Sequence, residues 1–154
     1  MRIQKQYYKK TLNLLETYNS IKKHIENLEI TQLEIKEYKS RDIKCIATDG
    51  VRVGLVDPDK IGNNLIRVED MIYLTNKELV SEKNTIKMID DAIDLLESDE
   101  QYIIRKLFIE NKTPIQISCE SRYDEPKIYR LRRAALNKIA ICIHGYKAME
   151  SKKV

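Results

Sequence analysis

Three features of the sequence predict an all-α fold. Two long segments carry mostly apolar residues at heptad spacing, three helix-start signatures follow in the last third, and the 154 residues include only 4 Gly and 3 Pro. So few turn-forming residues do not suit a fold of many short strands. The expected architecture is a long antiparallel helical hairpin (a coiled coil) with an intervening loop or small β-hairpin, followed by a C-terminal helix-turn-helix domain. The domains are expected at 1–97, with a connector at 40–63, and at 98–145, with a basic tail at 146–154.

The first segment runs from about Gln4 to Lys39. Tyr7, Thr11, Leu14, Tyr18, Ile21, Ile25, Leu28, Gln32 and Ile35 are spaced three and four apart, a heptad seam with two polar interruptions, Thr11 and Gln32. The second runs from about Asn64 to Glu97, with Leu65, Val68, Ile72, Thr75, Leu79, Glu82, Ile86, Ile89, Ile93 and Leu96 at the same spacing. Neither contains Gly or Pro, and each should be roughly 50 Å long at 1.5 Å per residue. Matched lengths suggest an antiparallel pair. Placing Ile35 near Val68 puts Tyr7 near Leu96, but it also sets Gln32 beside Ile72 and Glu82 beside Ile21. The polar positions then lack polar partners. Either the register slips, or a partner chain or the C-terminal domain covers part of the seam.

The connector breaks the helical period. Ile43, Cys45 and Ala47 alternate before Asp49-Gly50, and Val51, Val53 and Leu55 alternate after it. Asp-Gly between alternating runs is a hairpin signal; a loop is the other reading.

The C-terminal part shows three helix starts. Ser98 with Gln101 fits a capping box, opening a helix that carries Ile103, Ile104, Leu107 and Phe108 and stops near Asn111. Thr113 with Gln116 fits a second box, with Pro114 at the first helical position of a short helix ending near Ser121. Asp124 can cap a third helix with Pro126 in its first turn, an apolar stripe of Ile128, Leu131, Ala135, Ile139 and Cys142, and a stop at Gly145. A short helix, a turn of three or four residues and a longer basic helix form the helix-turn-helix arrangement. The turn glycine often found there is absent, Arg122 occupying its place.

Charge separates the two parts. Residues 1–100 hold 16 Lys+Arg against 19 Asp+Glu, and residues 101–154 hold 12 against 5. Such asymmetry points to a polyanion-binding end. No acid occurs between Lys127 and Lys147, whereas a solvated basic face on an ordinary bundle helix usually carries interspersed acids. With Ile128, Leu131 and Ala135 inward, Pro126, Tyr129, Arg130 and Arg133 share the outer face. The candidate DNA-contacting set is Asp124, Glu125, Pro126, Lys127, Tyr129, Arg130, Arg132, Arg133 and Lys138, with Thr113 and Gln116 on the supporting first helix. Arg or Lys near the helix start can donate to guanine O6 and N7, and Arg132, Arg133 and Lys138 suit phosphate oxygens.

Enzymatic chemistry finds no support: no Gly-rich phosphate loop and no nucleophile–His grouping is present, so no catalytic role and no cofactor is expected. Cys45, Cys119 and Cys142 are odd in number and widely spaced, which reads as free thiols in a reducing cytoplasm rather than as a zinc site. The acidic run from Asp90 to Glu100 reads as a solvated helix end rather than a metal site. No apolar run resembles a signal peptide or a membrane span. A cytoplasmic protein is expected.

The stretch "DAIDLLESDEQYIIRKLFIENKTPIQIS…YDEPKIYRLRRAALNKI" resembles the phage late-transcription regulators of the ArpU and RinA type, whose helix-turn-helix is like region four of bacterial sigma factors. Glu125-Pro126 followed by Ile128-Tyr129-Arg130 is the most specific part, and "IGNNLIRVEDMIYL" is similar to the family's second long helix. The resemblance covers Ile86 to Ile143 well and the N-terminal hairpin loosely. Ser121 departs from it, standing where an aliphatic residue is usual, and Cys119 is the nearest substitute. The resemblance implies activation of late phage operons for packaging, morphogenesis or lysis.

The expected function is therefore sequence-specific binding of double-stranded DNA as a transcription regulator acting with host RNA polymerase. The N-terminal helices would supply dimerisation or a polymerase contact. A phage small terminase subunit and a coiled-coil adaptor that binds no DNA are the alternatives. A fragment from about Lys87 to Lys153 should fold by itself.

Overall fold

The computed structural model describes residues 3–48 and 58–149, with side chains at 3–41, 62 and 65–149. The helices are α1 (Lys5–Glu16), α2 (Tyr18–Thr48), α3 (Pro58–Asp94), α4 (Ser98–Ile104), α5 (Pro114–Glu120) and α6 (Glu125–His144). A π turn, Arg105–Ile109, continues α4, and a 3-10 turn, Gly145–Ala148, follows α6. The fold is all-α. Among the described residues extended backbone pairs only at the bridge between Ile3 and Met149. Ile43, Cys45 and Ala47 belong to α2 and not to a strand; Asp49-Gly50, Val51, Val53 and Leu55 lie outside the described residues.

Every seam position named above is buried or half-buried. Both polar interruptions are satisfied, one within its own helix and one across the hairpin. Thr11 is fully buried, and its hydroxyl donates to the Tyr7 carbonyl (2.9 Å), so that only its methyl group has to pack. Gln32 donates its amide to Asn76. That bond overturns the simple register, which put Ile72 opposite Gln32. The helices slip by about one turn, because a buried amide without a partner costs on the order of 1–3 kcal/mol.

Contacts divide the chain into two compact units, one joining Met1–Lys22 to Asn84–Val154 and the other formed by Lys23–Lys83. This division differs from the one expected at residue 97. In the second unit, α2 and α3 run antiparallel. Ion pairs cross between them at His24–Glu78 (3.1 Å), Glu29–Lys83 and Lys39–Glu69 (3.1 Å). All three are exposed enough to contribute little individually, but they mark the register.

In the first unit, α1 packs on α6 and on the π turn. The chain bends between α1 and α2 at Thr17, whose hydroxyl donates back to the carbonyls of Asn13 (2.8 Å) and Leu14 (3.3 Å), a bond that tends to bend helices. Thr11, Leu15 and Tyr18 are buried on α1 and at the start of α2. Tyr18 donates to Asp90 (2.7 Å), and burial, then Asp90, raises its phenol pKa. A π turn leaves carbonyls unmatched near its end; here the Asn19 amide donates to Phe108 O (3.3 Å) and Ile109 O (2.9 Å).

The same packing moves the buried stripe of α6. Ile128, Ala135 and Ile139 are inside as expected, but Leu136 and Ala140 are buried with them and Cys142 is exposed. A helix covered from two sides needs a broader apolar face than one stripe. The segment before α1 meets the one after α6: Gln4 N–H donates to Ala148 O (2.8 Å), and the Gln4 amide reaches Lys147 O (3.2 Å) and Met149 O (3.1 Å).

Tyr7, expected near Leu96, lies against His144, with ring centroids 5.2 Å apart. The His144 Nε2 is buried without a hydrogen-bond partner. Burial first and the Lys10 charge second push the His144 pKa below the ordinary histidine value. The folded state therefore favours neutral imidazole. Its contribution to stability is complete above the unfolded pKa near 6.5 and is lost as the pH falls through the depressed folded value. The melting temperature of the native chain should accordingly drop more between neutral and mildly acidic pH than that of His144→Phe. Parallel melting curves for the two proteins would refute this.

Candidate nucleic-acid interface

The candidate interface is built on α5, the turn and α6. Thr113 caps α5 as expected: its hydroxyl accepts from Gln116 N–H (3.3 Å), and Gln116 Oε1 accepts from Thr113 N–H (2.9 Å). Pro114 stands in the first turn. The cap of α4 lies one residue before the expected one. Glu97 is the N-cap, and Glu100 accepts from its backbone N–H (3.3 Å). Ser98 is thereby the first helical residue, while the Gln101 amide turns back to Asp94 (3.1 Å).

Ser121 to Asp124 form a four-residue turn between α5 and α6. Cys119 is exposed and does not replace the missing aliphatic residue. Ser121 instead closes α5, its hydroxyl donating to Ile117 O (2.6 Å), and Tyr123 fills the core. Tyr123 is buried with Ile103, Ile117 and Ile128, against Tyr102, Leu107 and Leu131, and donates to Asp99 (2.7 Å). Tyr123 precedes the α6 N-cap and Ile128 follows it by four positions, the spacing of a hydrophobic staple that fixes how a chain enters a helix. That signal was present in the sequence, and Tyr123 was given no role there.

Asp124 is the N-cap of α6 through its carbonyl, which accepts from Lys127 and Ile128 N–H (both 3.1 Å), and its carboxylate makes no capping bond. Asp124, Glu125, Pro126, Tyr129, Arg130 and Arg133 are exposed, and Lys127 is half-buried with its ammonium 4.7 Å from the Tyr123 ring centre. Tyr129 is 51% exposed, so that its ring faces outward on the same side as the two arginines. Among the described residues, Arg130 and Arg133 form no ion pair. The neighbouring cations are largely engaged: Arg105 with Asp94 (3.0 Å), Lys106 with Glu110 (2.7 Å) and Lys112 with Glu120.

Two expected phosphate ligands occupy other surroundings. Arg132 is half-buried; its guanidinium lies 5.6 Å from the Phe108 ring centre and its Nε is buried without a partner. Lys138 donates to Glu100 (2.8 Å) and Glu97 (2.9 Å), which hold its pKa above the ordinary lysine value. The Glu100 side chain is only 6% exposed. A carboxylate so buried needs a cation, and Lys138 fastens the start of α4 to α6. The sequence could not show this, because the two residues are far apart in the chain and meet only when α4 crosses α6.

No protein-family model, curated protein or solved structure matches the chain.

Among the described residues no cluster of His, Cys, Asp and Glu is arranged to hold a metal ion, and no helix is long and apolar enough to cross a membrane. The outer face of α6 offers two arginines, a tyrosine ring and a proline on a rigid rod, anchored from behind by α4, α5 and α1. Such a face can donate paired hydrogen bonds to a planar acceptor edge and meet phosphates electrostatically.

Proposed function

We propose that this chain binds double-stranded DNA sequence-specifically through the outer face of α6 and acts as a transcription regulator. The supporting observation is the unpaired state of Arg130 and Arg133 beside exposed Tyr129, on the second helix of a helix-turn-helix arrangement. In that arrangement the N-terminal half of the second helix enters the major groove. Arg130 is assigned to a guanine edge, Arg133 and Lys127 to the border between bases and phosphates, and Tyr129 to a thymine methyl group or a phosphate. Arg132 and Lys138 hold the helix in place. The resemblance of this segment to phage late-transcription regulators assigns the function further, to activation of late genes together with host RNA polymerase in the bacterial cytoplasm.

Sequencing the DNA fragments retained by the purified full chain from its own genome tests the proposal. One motif should emerge, upstream of an operon, with binding that weakens steeply as salt rises. Retention of fragments without a common motif would remove sequence recognition, and no duplex binding at low salt would remove the function.

A further inference from the structure

Within one chain α2 and α3 half-bury each other's seam residues, but α3 carries a second apolar stripe. Ile66, Tyr73 and Val80 recur every seventh residue, and Leu74 adjoins Tyr73; all four are more than half exposed. They lie on the side of α3 opposite the seam residues Leu65, Val68, Ile72, Thr75 and Leu79. All four are large apolar side chains left open to solvent, with the exposed charges Asp70 and Lys77 set among them. A seven-residue recurrence is also what keeps a stripe facing one partner helix along its length.

We infer that this face of α3 pairs with the same face of a second copy of the chain, antiparallel and two-fold symmetric about Tyr73 and Leu74. The charges along the stripe favour that occupant. Asp70 and Lys77 run along its midline, both exposed and, among the described residues, in no ion pair. The two-fold axis sets Tyr73 against Leu74 of the second copy and Asp70 against its Lys77, twice per interface. An isologous contact of this kind closes at two chains.

The outer face of α2 gives the opposite result. Ile30 and Leu33 are exposed there too, but the same operation about them sets Glu26 against Glu37 on the midline, where α3 has Asp70 against Lys77. Like charges face each other, and that face is not self-complementary. The inference about α3 stands independently of DNA binding, since none of its residues lies on α5 or α6.

Sedimentation velocity of the full chain over a range of concentrations reads the assembly, with circular dichroism verifying that each variant keeps its helices. The native chain should be a dimer. Tyr73→Glu should weaken dimerisation at least a hundredfold by placing two acids in the apolar centre. Asp70→Lys and Lys77→Asp should each weaken it about tenfold, and the double swap should restore it. Leu33→Glu on α2 should leave the dimer intact. A monomeric native chain, assembly beyond two chains, dimerisation unchanged in Tyr73→Glu or lost in Leu33→Glu, or a double swap weaker than either single change would each overturn the inference.

Discussion

A chain fragment of residues 84–154 should be only marginally folded by itself and should regain its structure when a peptide of residues 1–22 is added. The sequence alone predicts the contrary, an autonomous C-terminal fragment. The difference lies in what α1 covers. Leu15 and Tyr18 are buried together with Thr11, and α6 buries Leu136 and Ala140 beyond its expected stripe. Removing residues 1–22 takes away Thr11, Leu15 and Tyr18 and uncovers the parts of α6 and of the π turn on which α1 packs. At roughly 1.5–3 kcal/mol for each large apolar side chain, the loss is on the order of 5 kcal/mol, comparable to the whole stability of an ordinary domain. Within the intact chain, Leu15→Ala should cost about 2–5 kcal/mol. Urea denaturation followed by circular dichroism, with and without the peptide, measures the effect. A fragment whose midpoint is high and indifferent to the peptide would show that α1 is an accessory.

Arg130→Ala and Arg132→Ala should differ in kind, because one side chain is free and the other is packed. Arg130 is exposed on the face with Tyr129 and Arg133. If it reads a base, its loss should cost about 1–3 kcal/mol on the cognate site and relax the preference at one position. Arg132 lies over Phe108 with a buried Nε. Its loss should lower thermal stability, and it should not change the preferred sequence. Arg133→Ala provides the third comparison: if Arg133 meets a phosphate, its loss should weaken all sequences alike and reduce the salt slope by about one unit. Competition between cognate and random duplexes at several salt concentrations separates these patterns. Were Arg130→Ala to bind both duplexes as the native chain does, α6 would not be the reading helix.

Much of the fold was legible because helices announce themselves locally. Heptad spacing located the two long helical segments and the residues that face inward, since the 3.5-residue recurrence of apolar side chains is itself the condition for pairing, but it did not show that the first segment divides at Thr17 or that α1 packs on α6. Thr113-Pro114 with Gln116 and the stop at Gly145 were legible for the same reason: a cap is a contact between residues three or four apart. Gly145 ends α6 with φ +66°, a conformation glycine adopts without strain. Alternation at Ile43 to Ala47 misled, because a short run is consistent with both a strand and a long helix that continues through it.

The sequence by itself determined that the chain is helical, which residues form its apolar seams, and that the exposed positive charge collects on one late helix. Only the tertiary structure decided which of those charges are free. Lys138 is bound to Glu97 and Glu100, and Arg132 is packed on Phe108, while Arg130 and Arg133 are exposed and, among the described residues, in no ion pair. It also decided that α1 belongs with α6, and that Gln32 meets Asn76 and not Ile72. The physical reason is common to all of them. Periodicity fixes which side of a helix is apolar, but it carries no information about which distant helix covers that side. Charges and amides take their partners only after that choice is made, and a buried polar group without one is too costly to leave in place.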